Sequence, residues 1–130
     1  MADVRRTEVE VHSAVMRMSD ATLVAELRAL LGAKLVAYLG GVNETRAVRQ
    51  WADGARGVSS RTAVDRMRIA LQSAHLITRH DSPKVAQAWF LGLNPTLGDK
   101  SPATVLREAG ELEVAGAEVL AAARRFSSFV

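Results

Sequence analysis

The sequence predicts an all-α protein, built as a helix-turn-helix segment followed by a small helical module. Three observations carry the fold class. Apolar residues recur at three- and four-residue intervals, aromatic residues are only 5% of the chain, and Ser-Pro pairs at 82–83 and 101–102 mark helix starts. With 130 residues, 48% of them hydrophobic and 24% charged, the chain can bury a core of its own. That length suits one domain, or two small helical subdomains sharing a core.

Residues 1–18 form an N-terminal arm or tail in this reading. Thr7, Val9 and Val11 alternate with a period of two, which fits an extended arm or a short strand but is too brief to decide. From Ser19 the pattern is helical: Leu23, Leu27, Leu30 and Leu31 share a face, and Gly32 supplies the stop. A shorter helix follows from Ala33 to Leu39, with Leu35, Val36 and Leu39 turned inward and Gly40-Gly41 ending it. Asn43 is placed to cap a third helix, Glu44 to about Ala52, whose apolar residues are Ala47, Val48 and Trp51.

After a loop from Asp53 to Val58, Ser59 or Ser60 caps a longer helix reaching about Ile77, with Val64, Met67, Leu71 and Ala74 along one side. Ser82-Pro83 opens the next, which carries Ala86, Ala88, Trp89 and Phe90. The stretch Gly92 to Lys100, with Asn94-Pro95 and Gly98-Asp99, reads as turns. Ser101-Pro102 starts a short helix ending at Gly110, and a final helix runs from Glu111 to about Phe126. The expected division is 1–18, 19–79 and 80–130.

The formal net charge of +3 is modest but unevenly placed. Between residues 44 and 68 stand Arg46, Arg49, Arg56, Arg61, Arg66 and Arg68 against Glu44, Asp53 and Asp65. Two short helices joined by a glycine turn, the second rich in arginine, are what a helix-turn-helix requires. Asn43, Thr45, Arg46 and Arg49 then stand at the start of the helix that would enter the major groove. Arg46 and Arg49 suit guanine edges, because a guanidinium fork matches O6 and N7. Arg56 and Arg61 fall where phosphate contacts are expected. By charge and spacing alone, residues 33–52 fit a helical hairpin with a wet arginine face equally well.

Leu35-Val36-Ala37-Tyr38-Leu39-Gly40-Gly41-Val42-Asn43-Glu44-Thr45-Arg46-Ala47-Val48-Arg49-Gln50-Trp51-Ala52-Asp53-Gly54 resembles the Xre type of helix-turn-helix, including a recognition helix that ends in Trp, an acidic residue and Gly. It departs from that pattern by one extra residue between the turn and Trp51. In the second half, Trp89-Phe90-Leu91, Asn94-Pro95, Leu97-Gly98, Ser101-Pro102, Leu106 and Gly110 resemble the C-terminal module of the Xre/MbcA/ParS antitoxin family. The likeness spans about residues 20–125, and both halves in this order are more diagnostic than either alone.

The resemblance implies a type II antitoxin. Such a protein neutralises a cognate toxin, typically a NAD-consuming RES-domain enzyme, by occluding its active site, and represses its own operon through the helix-turn-helix. It implies a homodimer on palindromic operator DNA. The alternative is a stand-alone helix-turn-helix transcriptional regulator without a toxin; a pure inhibitor that never touches DNA is the third reading.

Trp89, Arg124, Arg125, Phe126 and Phe129 are the candidate toxin-binding residues. Read without the family, Trp89 and Phe90 suit the core better than an interface, and the terminal Arg-Arg-Phe run suits a frayed end as well as an anchor.

No enzyme, cofactor or metal is expected. The chain lacks cysteine, its three histidines show no ligand spacing, and no nucleophile elbow, Walker loop or dinucleotide fingerprint occurs. Gly54-Ala55-Arg56-Gly57 is too short to cradle a phosphate. No apolar run reaches the length of about 20 residues that spans a bilayer. The mixed charges of the N-terminus do not lead into a signal peptide, so a reducing cytoplasm is the expected location.

Overall fold

Helix starts in this chain are set largely by serine. The computed structural model describes residues 2–128, with side chains described for 8–128. Among the described residues are eight α-helices and one 3-10 turn: α1 Ala2–Arg17, α2 Asp20–Leu31, α3 Ala33–Gly40, α4 Thr45–Ala52, α5 Arg61–Thr78, α6 Pro83–Leu91, the turn Pro95–Leu97, α7 Pro102–Glu108 and α8 Leu112–Ser127. The hydroxyls of Ser19, Ser60, Ser82 and Ser101 accept from the amides of Thr22, Ala63, Val85 and Thr104. Each thereby satisfies one of the first-turn donors that a helix leaves without a partner. Asn94 does the same for the 3-10 turn, its Oδ1 accepting from the Thr96 amide at 2.9 Å.

The all-helical class holds, and two local expectations are corrected. Residues 2–17 form a helix rather than an extended arm or strand. The alternation at Thr7, Val9 and Val11 is a fragment of a helical pattern in which Val11, Val15 and Met18 turn toward the core. Asn43 does not cap α4; Glu44 holds the cap position with extended backbone, and its side chain makes no capping bond.

Far ends of helices are closed by side chains from other helices, an arrangement that sequence periodicity does not display. Arg68 on α5 is buried and donates to the carbonyls of Val15 (2.6 Å) and Met18 (3.2 Å), at the end of α1. Its Nη2 lies 3.6 Å from Asp20 Oδ1. Arg66, also on α5, donates to Leu39 O at 2.9 Å, and Arg107 on α7 donates to Tyr38 O at 2.5 Å, both in the last turn of α3. Gln87 on α6 reaches Leu30 O at the end of α2. Cationic donors at these positions satisfy orphan carbonyls and complement the negative end of the helix dipole.

One contiguous hydrophobic core runs from Val15 to Ala123 and joins both halves of the chain, with Trp51, Met67, Leu71, Ile77, Phe90 and Leu106 among its fully buried side chains. An apolar groove of about 860 Å³ lies where α1 and α8 flank Ile69 and Gln72 of α5. His12 of α1 donates across it to Gln72 Oε1 at 2.9 Å, and Arg124 pairs with Glu8 at 3.1 Å.

His75 lies half-buried 3.9 Å from Glu26, and burial lowers its pKa, an effect only partly opposed by the Glu26 carboxylate. The folded state therefore binds this proton less readily than the unfolded chain does. Stability contributed by neutral His75 is complete above the unfolded value of about 6.5 and is lost as pH falls through the lower folded value. Thermal midpoints at pH 7.5 and pH 5 test this. His75→Gln is expected to lose less on acidification than the wild type, and equal losses would remove His75 as the cause.

Candidate nucleic-acid interface

Helix α4 is short and two-sided. Ala47, Val48 and Trp51 are buried against the core, whereas Thr45, Arg46 and Arg49 are exposed. Residues three and four apart share a helix face, so Thr45, Arg46 and Arg49 stand together on the solvent side. Neither Arg46 nor Arg49 joins any of the ion pairs among the described residues.

The seat for α4 is made by glycine. Gly41 has φ +80°, a left-handed conformation that reverses the chain between α3 and α4 at little steric cost. Gly40, the last residue of α3, lies directly against the indole of Trp51: a Cβ added there would sit 2.6 Å from Cζ3 and 2.8 Å from Cη2. Only a residue without a side chain allows α3 and α4 to approach this closely. The Trp51 indole Nε1 is buried without a hydrogen-bond acceptor.

Beyond α4 the loop folds back on it. The amides of Ala55 and Arg56 both donate to Gln50 O, at 2.9 and 3.3 Å, and Gly54 takes φ +74°. Arg56 is thereby placed by the end of α4, and Arg61 opens α5; both are exposed. Asn43 is exposed in the turn before α4 and lines, with Thr45 and Arg46, a concave surface shared with Lys34, Tyr38 and Arg107. Lys34 and Arg107 were not among the sequence-derived candidates. Lys34 lies on the first short helix, which the motif treats as a brace, and Arg107 lies in the other half of the chain.

The basic segment is smaller than its composition suggests. Arg66 and Arg68 close the ends of α3 and α1, which leaves Arg46, Arg49, Arg56 and Arg61 as its exposed cations. Part of the apparent charge excess is therefore structural.

The candidate partner residues are distributed differently from expectation. Trp89 is buried, edge-to-face with Phe90 at 5.0 Å between ring centroids, so it belongs to the core and is not an exposed anchor. Arg124 is engaged by Glu8 of α1 and is not a free cation. Arg125 is exposed. Phe126 is 36% exposed and rests against Trp89 with ring centroids 6.3 Å apart. Phe129 lies outside the described residues. Leu91 and Leu93, not counted among the partner candidates, are 64% and 77% exposed on either side of Gly92. Their exposure breaks the apolar pattern of α6 at its end, a signal visible only once that end is fixed.

Among the described residues no group of acidic, histidine or cysteine side chains is arranged to hold a metal, and no helix is long and apolar enough to cross a membrane. Comparison of the chain with family models, curated proteins and solved structures finds no match.

Proposed function

We propose that the chain is a DNA-binding antitoxin that reads a duplex with α4 and holds a toxin through its second half. The observation that carries this reading is the exposure of Arg46 and Arg49, free of ion pairs, on one face of a helix whose other face is locked by Ala47, Val48 and Trp51. A rigid helix presenting guanidinium groups suits base edges, while the exposed Arg56 and Arg61 suit the flanking phosphates. The sequence likeness of 35–54 and 89–110 to the Xre/MbcA/ParS antitoxin family supports the same reading.

For the toxin, the exposed Leu91, Leu93 and Phe126 supply apolar contact, with Arg125 beside Phe126 in sequence. A RES-domain enzyme that consumes NAD is the proposed partner, blocked by occlusion of its active site. A homodimer is proposed on the same likeness, its two copies meeting half-sites about one helical turn apart.

The experiment is a salt series of binding to a duplex from the chain's own promoter, with co-expression of the product of the adjacent gene. Affinity should fall steeply as salt rises, because neutralised phosphates release counterions. The neighbouring product should arrest growth alone and co-purify with this chain. Duplex binding without such a partner would favour the stand-alone regulator; a flat salt response with toxin binding would leave a pure inhibitor.

A further inference from the structure

Cations from both halves of the chain meet beside the last turn of α3. Arg107 on α7 donates through Nη1 to Tyr38 O, and its Cζ lies 5.0 Å from the centroid of the Tyr38 ring. The Tyr38 hydroxyl in turn donates to Thr104 Oγ1 at 3.5 Å, so the guanidinium is held on a fixed platform. Lys34, one turn earlier on α3, and Arg46, in the first turn of α4, line the same concavity with Asn43 and Thr45.

The charge there is unbalanced. None of Lys34, Arg46 and Arg107 joins an ion pair among the described residues. Glu44 is the one carboxylate on the concave surface. Arg66 approaches from α5, and both its burial and the charge of Arg107 lower its pKa. Like charges gathered in this way favour a bound anion.

We propose that this concavity seats a backbone phosphate of duplex DNA and that Arg107 supplies one of its cations, so that the second half of the chain takes a direct part in DNA binding. The inference rests on the DNA-binding reading above. Phosphate is the fitting ligand because a guanidinium fork pairs with its oxygens, and the Arg107 fork has only Nη1 committed to protein. A phosphate contact carries no sequence information, so Arg107 would add affinity to any duplex while Arg46 and Arg49 discriminate.

The test measures binding of full-length wild type, Arg107→Gln, Arg107→Lys and Lys34→Gln to the promoter duplex and to an unrelated one, from 50 to 200 mM salt. Arg107→Gln should weaken both duplexes by the same factor and lower the slope of log K against log salt by about 1. Across that salt range its affinity should fall about 3–4-fold less than that of the wild type. Arg107→Lys should retain the slope.

A purely structural Arg107 would instead lower the melting temperature and leave the slope unchanged, which overturns the inference. Lys34→Gln changes an exposed side chain and gives the same readout without risk to the fold; an unchanged slope there also overturns it. A wild type whose duplex affinity depends on salt, with both Gln variants unaltered, removes this inference alone. A wild type without salt-dependent affinity removes the DNA-binding reading as well.

Discussion

Replacing Trp51 by alanine is expected to destabilise the protein by about 3–5 kcal/mol, the usual cost of emptying a buried indole site. Trp51 is fully buried, and its ring is the surface on which α3 and α4 meet. Gly40→Ala tests the same contact from the other side. In an ordinary helix that change would stabilise by up to about 1 kcal/mol. Here the new methyl meets the Trp51 ring at 2.6 and 2.8 Å, and a buried aromatic has no free end to swing aside, so a net loss of about 1–3 kcal/mol is expected.

Trp51→Phe separates packing from volume. Phenylalanine lacks the outer indole ring that collides with the methyl, and it removes the orphaned N–H. Gly40→Ala combined with Trp51→Phe should therefore cost less than the sum of the two single changes, by about 1 kcal/mol or more. Urea denaturation of the four proteins measures the coupling. Additive losses, or a neutral Gly40→Ala, would mean that α3 and α4 do not meet through this glycine.

Helix starts were legible in the sequence because their signals are local. Ser82 and Ser101 cap where the sequence predicted, and Ser60 is the one of the pair Ser59 or Ser60 that does, since a side chain that bonds an amide three residues on leaves its mark within one turn. The inward face of α4 was legible for a similar reason: Ala47, Val48 and Trp51 share a side by spacing alone.

Contacts across the chain were not legible. Arg66 and Arg68 look like members of a basic patch until Leu39, Val15 and Met18 are found to offer them carbonyls from 27, 53 and 50 residues away. Composition cannot separate a cation that closes a helix from one that faces solvent. Trp89 failed as an anchor because an aromatic on a short helix gives the same signal whether it packs inward or meets a partner, and here Phe90 and Phe126 cover it. The helix over residues 2–17 was not legible because three alternating residues are too few to declare a period.

Arg46→Ala with Arg49→Ala should separate recognition from everything else the chain does. Both side chains are exposed and hold no structural partner, so the double change should alter stability by no more than about 0.5 kcal/mol. Each bidentate contact to a base is worth about 1–3 kcal/mol of discrimination, so losing two should lower affinity for the promoter duplex by about 30-fold or more at fixed salt. Affinity for an unrelated duplex should fall less, by no more than the charge Arg46 lends the concavity, because Arg56, Arg61, Lys34 and Arg107 remain to meet phosphates.

Equal losses on both duplexes would reassign Arg46 and Arg49 to phosphates; no loss on either would remove α4 as the reading helix. The matching change on the other surface, Leu91→Ser with Leu93→Ser, removes exposed apolar area that the fold does not bury. It should abolish co-purification with the partner while leaving the promoter affinity unchanged. The two double variants together ask whether recognition and neutralisation occupy separate surfaces of one continuous core. Joint loss of both activities in either variant, with the fold intact by circular dichroism, would show that they do not.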